Sequence, residues 1–176
     1  MKEKVSVLIT EEEIKSKIVE ISEKINKDYE GKDLTLICVL KGGVMFMCDL
    51  AKHLKGNIRL DFMSVSSYGA GTKSSGVVKI IKDLDDSIEG KDVLVVEDII
   101  DSGNTLSYLV DILKKRGPHS VRLCTLLDKP SRREKKDVCV DYVCFEIEDK
   151  FVVGYGLDYD QRYRNLSYIG VMEFSE

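Results

Sequence analysis

The chain reads as an α/β protein with a mainly parallel central sheet flanked by helices, and three observations lead there. Short, almost wholly apolar runs at 34–40 and 93–96 have the length and composition of strands covered on both faces. Each run meets a glycine-containing break, Lys41-Gly42-Gly43 in one case and Glu97 to Asn104 in the other. A segment with apolar residues at helical spacing then follows each break. Strands that alternate with helices imply parallel pairing with crossover helices on both faces, and ligands of such sheets bind beyond the carboxyl ends of the strands.

Taken in order, Thr10 and Glu13 form a capping-box pattern ahead of Ile14, Ile18, Ile21 and Ile25. This predicts a first helix that ends near Gly31 and packs through its isoleucine face. After the 34–40 strand and its glycine turn, a second helix is expected over about 44–54. Ile58, Leu60 and Phe62 alternate as a strand should, and 77–82 reads as another. Between them, 66–76 holds three glycines, five serines or threonines and Tyr68, the composition of a mobile flap. The 93–96 strand runs into Glu97 to Asn104, and a helix over about 105–116 carries Leu106, Leu109, Val110 and Leu113 on one side until Gly117-Pro118 stops it. Strands are also expected at 121–127 and 142–145, and the tail from Phe151 alternates short apolar pieces with Gly154, Gly156 and Gly170. With no internal repeat or linker in 176 residues, one domain over 1–176 is expected.

Composition narrows the function. A net charge of -4 and a pI near 5.4 give no general attraction to nucleic acid or to an anionic membrane. The only dense basic run is Lys129 to Lys136, and its Arg132, Arg133, Lys135 and Lys136 read as a solvated loop. The five cysteines are odd in number and lack CxxC or Cys/His ligand spacing, as expected of reduced thiols in a cytoplasmic protein. No apolar run approaches the roughly 18 residues of a membrane span, and no signal-peptide zones are present. His53 and His119 have no ligand or catalytic partner at recognisable spacing and read as structural.

The most informative segment is Glu97-Asp98-Ile99-Ile100-Asp101-Ser102-Gly103-Asn104-Thr105, set between a buried strand and a helix. A helix N-terminus offers unpaired N–H groups and the positive end of its dipole, so 102–105 can cradle a phosphate while Gly103 permits close approach. Three carboxylates just ahead would repel that anion, unless Glu97 and Asp98 meet ligand hydroxyls or a metal and Asp101 faces a part that becomes cationic. A sugar phosphate satisfies all of these conditions. A plainer reading makes Asp101, Ser102 and Thr105 simple helix caps, which leaves the acidic pair unexplained. The loop has neither the lysine of a Walker A sequence nor the spacing of a dinucleotide fold.

This segment resembles the phosphoribosyl pyrophosphate motif of the type I phosphoribosyltransferases, and within them the hypoxanthine-guanine phosphoribosyltransferases. Leu40-Lys41-Gly42-Gly43 resembles that family's pyrophosphate loop, and Ser66-Ser67-Tyr68-Gly69 its catalytic flap. Asp128-Lys129 resembles its purine-recognition lysine, and 151–159 with Arg164 its base-binding hood. The resemblance spans nearly the whole chain and implies a type I phosphoribosyltransferase fold with a small hood built from the C-terminal and N-terminal segments, the former about 151–176. It implies that Lys41, Gly42, Ser67, Tyr68 and Arg164 bind phosphoribosyl pyrophosphate, together with Glu97, Asp98, Asp101, Ser102, Gly103, Asn104 and Thr105. Asp101 would be catalytic, near N7 of the base. Lys129, Phe151, Val152 and Asp158 would bind the purine, and Glu97, Asp98 and Asp158 would attend Mg2+. The family often has a cis peptide before the loop lysine, which makes Leu40-Lys41 a candidate. A homodimer or homotetramer is implied, with Lys41 and the first helix near a subunit contact.

Each of these residues has a plainer alternative. Phe151 reads as core by pattern, Lys129 as a loop lysine, Asp158 and Arg164 as a surface ion pair, and Gly42 and Gly43 as turn formers. Asn104 departs from members that carry lysine there, which bears on how the 5'-phosphate charge is balanced. Two other functions stand beside the purine transferase. One is a regulatory module of the same fold that binds nucleotide or nucleic acid without catalysis. The other is a transferase for xanthine, adenine or uracil, against which the Lys129 and Phe151 context favours a 6-oxopurine.

Overall fold

The computed structural model describes residues 2–67, 78–135 and 138–175. Its core is a six-stranded sheet made of β2 (Leu34–Val39), β3 (Ile58–Ser67), β4 (Val78–Lys82), β5 (Asp92–Ile100), β6 (Ser120–Asp128) and β7 (Tyr142–Glu146), in the order β4-β3-β2-β5-β6-β7. All pairings are parallel except that of β4 with β3. The flap expectation begins inside this sheet, since Ser66 and Ser67 pair with Lys79 and Val78 in the β3–β4 ribbon. Residues 68–77, and with them Tyr68, lie outside the described residues.

Period-two alternation divides the central strands between two cores. Leu34, Leu36 and Cys38 of β2 and Leu94 and Val96 of β5 face α1 (Glu11–Asp28) and α2 (Val44–His53). Ile37, Val39, Val93 and Val95 face α3 (Asn104–Lys114). Strands buried on both faces must be apolar throughout, which is why 34–39 reads as an unbroken hydrophobic run. The first helix forms as its cap predicts: Thr10 and Glu13 make the reciprocal capping box, and Ile14, Ile18, Ile21 and Ile25 are buried. Truncation of one of these isoleucines to alanine costs about 2–5 kcal/mol.

A second, three-stranded sheet stands apart, with order β1-β9-β8: β1 (Lys2–Ile9), β8 (Val152–Val153) and β9 (Ile169–Ser175). β1 pairs antiparallel with β9 from Lys2 with Ser175 to Ile9 with Ile169. Between β8 and β9 the chain is tightly folded, with positive φ at Tyr155, Asp160, Gln161 and Tyr163. Non-glycine residues seldom adopt this conformation, and they cluster where a site demands it.

Candidate active site

The site is built at the carboxyl end of β5, in the middle of the sheet. β5 continues through Glu97 and Asp98 to Ile100, farther than the sequence suggests, so the acidic pair is held by strand hydrogen bonds and not by a loop. Both side chains are half-buried. Loss of water raises Glu97 well above the usual carboxylate range, and the neighbouring Asp98 charge adds to the shift. Burial likewise raises Asp98 to about 6, opposed by the Ile99 N–H, which donates to Asp98 Oδ1 at 2.8 Å, and by the charge of Arg164. The Asp158 charge pushes in the raising direction. Such a pair favours cations or hydroxyl donors beside it.

Beyond Ile100 the chain turns through Asp101 and Ser102 into α3. This helix starts at Gly103, φ 81°, with no side-chain cap and no acidic residue in its first turn. The contrast with the fully capped α1 is informative, because an uncapped helix start leaves amide donors for an anion. Among the described residues Asp101 and Thr105 make no such cap bond, whereas Ser102 Oγ accepts the Asn104 N–H at 3.3 Å, so the simple-cap reading holds for Ser102 alone. A cleft of about 230 Å³ opens here, lined by Glu97, Asp101, Ser102, Gly103 and Thr105 among others. Asn104 donates through Nδ2 to Glu134 Oε2 at 2.8 Å.

The glycine turn after β2 lies directly against the acidic pair. The Leu40–Lys41 peptide is cis, as the family resemblance implied. A Cβ on Gly42 would fall 1.6 Å from Asp98 Oδ2, and a Cβ on Gly156 would fall 2.0 Å from the Gly42 carbonyl oxygen. Gly42 is thus a contact glycine as well as a turn former, since only a bare backbone fits between Asp98 and the hood. Lys41 Nζ donates to Gln161 Oε1 at 3.2 Å, and Arg164 reaches the same oxygen at 3.3 Å. Arg164 also bonds the Gly156 carbonyl at 2.7 Å and pairs with Asp158 at 2.8 Å. That pair is largely shielded from solvent, and Arg164 Nε is buried without a partner among the described residues. Two cations, a carboxylate and an orphan donor make a corner suited to a polyanion that carries a cation.

The remaining wall is set by β6 and the hood. Lys129 follows β6 and is only 7% exposed, its ammonium 3.3 Å from Asp149 Oδ1, which rules out an ordinary loop lysine. Phe151 is 49% exposed and so is not core; its ring meets Tyr159 edge-on at 5.7 Å and lies 6.4 Å from Phe174. Val152 beside it is buried in β8.

The basic run reads differently in three dimensions. The Glu134 and Lys135 amides both donate to the Ser102 carbonyl, so the backbone of the segment packs on the phosphate-type loop while the side chains of Arg132 and Lys135 stay exposed. Arg133 is largely buried, paired with Asp128 and packed near Gly103. Arg132 is more exposed but donates to Asp101 Oδ1 at 2.9 Å. Lys136 lies outside the described residues. The solvated-loop reading thus holds for the exposed Arg132 and Lys135 and fails for Arg133, because it takes no account of which acidic residues the fold brings opposite the charges.

Glu97, Asp98, Asp101 to Thr105, Lys41, Gly42, Arg164 and Asp158 therefore come together, and Lys129, Phe151 and Val152 line the hood side. Ser67 ends β3 in the ribbon. Gln161 and Asp149 were not singled out in the sequence and Arg132 only as part of a solvated run, because each takes part through a partner distant in the chain. Among the described residues no group of three or more His, Cys, Asp or Glu is arranged to hold a metal by itself. The carboxylates of Glu97, Asp98 and Asp158 are hard oxygen donors, the kind that magnesium takes one or two at a time beside ligand oxygens and water. A wider cleft of about 570 Å³ opens at the opposite end of the sheet among Lys27, Lys32 and Lys55, away from every one of these groups. No helix among the described residues is long and apolar enough to cross a membrane.

A parallel sheet whose central strand carries an acidic pair into an uncapped helix, with a separate small sheet beside it, defines the class of type I phosphoribosyltransferases. Residues 8–160 match the family described as the phosphoribosyl transferase domain. The chain is 56% identical over 167 residues to the hypoxanthine-guanine phosphoribosyltransferase of Bacillus subtilis, covering 95% of this chain and 92% of that one. It is 54% identical over 172 residues to the hypoxanthine phosphoribosyltransferase of Escherichia coli K12, covering 97% and 96%. The crystal structure of a hypoxanthine phosphoribosyltransferase from Staphylococcus aureus superposes with a TM-score of 0.92 at 50% identity, covering 96% of this chain and 91% of that one. The chain belongs to the hypoxanthine-guanine phosphoribosyltransferase family, and it is a transferase.

Proposed function

We propose that this protein joins hypoxanthine, guanine or both to the phosphoribosyl group of 5-phosphoribosyl 1-pyrophosphate in the presence of magnesium, releasing pyrophosphate and forming IMP or GMP. The observation that carries this reading is the start of α3, free of acidic residues in its first turn, shortly after the half-buried Glu97 and Asp98, with buried Lys129 at the end of the adjacent strand β6. The 5'-phosphate sits on the amides and hydroxyls of 102–105. The ribose hydroxyls donate to Glu97 and Asp98, whose raised pKa values suit a hydrogen-bonded or cation-bound state. Lys41 and Arg164 hold the pyrophosphate. Lys129 donates to the 6-oxo group, Phe151 stacks on the ring, and the Val152 backbone meets its far edge.

In the reaction the bond from C1 of the ribose to the pyrophosphate oxygen breaks, and its electron pair leaves with pyrophosphate. N9 of the base supplies the pair for the new bond to C1, and the proton on N7 passes to Asp101. A positioned general base of this kind contributes about 10²- to 10⁴-fold. Positive charge that builds on the sugar is stabilised by the carboxylates of β5. Glu97, Asp98 and Asp158 would hold magnesium, which would supply charge neutralisation for the leaving group.

The test is a spectrophotometric assay with phosphoribosyl pyrophosphate and magnesium against hypoxanthine, guanine, xanthine and adenine. Turnover of hypoxanthine or guanine that a chelator abolishes is the expected result. Failure of every base, with phosphoribosyl pyrophosphate still bound, would leave a nucleotide-binding module without transferase activity.

A further inference from the structure

Four charged residues next to the base pocket form a continuous chain, and only its ends have a part in the function proposed above. Arg132 closes the short 3-10 turn Pro130–Arg132 that follows Lys129. Its Nε donates to Asp101 Oδ1 at 2.9 Å, and its terminal nitrogen lies 3.6 Å from Asp149 Oδ2. The other oxygen of Asp149 lies 3.3 Å from Lys129 Nζ. Asp101, Arg132, Asp149 and Lys129 thus alternate in sign, and each inner member faces two opposite charges. The two end residues are those assigned to adjacent groups on one edge of the purine, N7 and the 6-oxo oxygen.

The geometry favours orientation over stability. Arg132, Asp101 and Asp149 keep side-chain exposures of 53%, 44% and 52%, so solvent screens their attraction and the chain adds little to folding. What it supplies is a rigid fork, because a guanidinium can address two carboxylates at once from fixed directions and a lysine ammonium cannot. The backbone reinforces the link: the Lys129 amide donates to the Ile100 carbonyl at 3.0 Å and the Arg132 amide to the Lys129 carbonyl at 3.1 Å. Asp101 receives Arg132 through Oδ1, and among the described residues no hydrogen bond is made to its Oδ2, which remains to accept a proton.

We infer that Arg132 and Asp149 are positioning residues of the base half of the reaction, holding Asp101 and Lys129 in a fixed mutual geometry so that N7 and the 6-oxo group are met together. This rests on the function proposed above. The test is a double-mutant cycle on kcat/KM for hypoxanthine, with the KM for phosphoribosyl pyrophosphate measured alongside. Arg132→Ala and Asp149→Ala should each lower kcat/KM for the base roughly tenfold, the size of loss expected when a reacting group is displaced and not removed. The double variant should lose little more than either single one, and the KM for phosphoribosyl pyrophosphate should stay within about twofold. Arg132→Lys should recover little, since one ammonium does not span both carboxylates. Alongside, the Nε–H resonance of Arg132 in the wild-type protein should move on Asp101→Asn and on Asp149→Asn. Losses that multiply to about a hundredfold in the double variant, or an Arg132 resonance that neither substitution moves, would overturn the inference. A wild type inert toward every 6-oxopurine would overturn the proposed function and this positioning role with it; the Arg132 resonance then reports separately whether the charge chain exists.

Discussion

Replacing Asp98 by asparagine separates what the acidic pair does for binding from what it costs the fold. Burial holds the Asp98 carboxyl at about 6, above its ordinary value of 3.8, so the folded protein keeps this proton more tightly than the unfolded chain does. The stability tied to it is therefore fully present below the unfolded value and is lost as pH rises through about 6. A shift of about 2 units at 1.36 kcal/mol each sets an upper bound of about 3 kcal/mol. Asparagine has no proton to lose, has nearly the same volume, and can still accept the Ile99 N–H bond that Asp98 makes. The variant should match the wild type near about pH 3 and exceed it at about pH 8 by up to about 3 kcal/mol, or about 6–12 °C in Tm for a domain of this size. Thermal unfolding of the unliganded protein followed by circular dichroism across that range is the assay. A stability difference that does not change with pH, or a wild type that is the more stable at about pH 8, would refute the reasoning. Activity should fall in the same variant, as expected where a site is kept at the expense of the fold.

Lys129→Ala should raise the KM for the base at least about tenfold while that for phosphoribosyl pyrophosphate changes little, and equal effects in steady-state kinetics would remove its assigned part. Asp101→Asn should lower kcat by about 10²- to 10⁴-fold with phosphoribosyl pyrophosphate binding kept by calorimetry. Gly42→Ala drives a Cβ to 1.6 Å from Asp98 Oδ2, so it should cost about 1–3 kcal/mol in chemical denaturation and more than about a hundredfold in turnover. In labelling with a thiol-specific reagent, Cys48 and Cys139 should react quickly. Cys38 and Cys144, whose thiols burial pushes up to about 12, and the still more deeply buried Cys124 should react only on unfolding.

What could be read ahead of the structure follows the range of each interaction. The capping box at Thr10 and Glu13, the buried run of β2 and the helix stripe of Leu106, Leu109 and Leu113 are short-range signals, and each forms where its pattern places it. The end of β5 was not legible, because Glu97 and Asp98 look like a loop until β6 pairs alongside them. β1 was missed for the same reason: its alternation is weak, and its partner β9 lies at the other end of the sequence. In the site, adjacent residues such as 101–105 were grouped correctly, whereas Gln161 joining Lys41 to Arg164 depends on a contact across 120 positions that no local pattern records. Phe151 shows the limit of composition, since an aromatic followed by two valines is ordinarily core, yet here its ring stays open at the edge of the hood.

The pairing of β1 with β9 also sets an order of events on the ribosome. Lys2 is made long before its partner Ser175. Through most of synthesis, then, β1 emerges as a nascent strand whose mate does not yet exist, while β2, β3 and β5 can already associate and present the loop at 101–105. The half of the cleft suited to a sugar phosphate can mature before the half suited to a base, and a ribosome stalled before residue 151 would display the first without Phe151 and Val152 of the second.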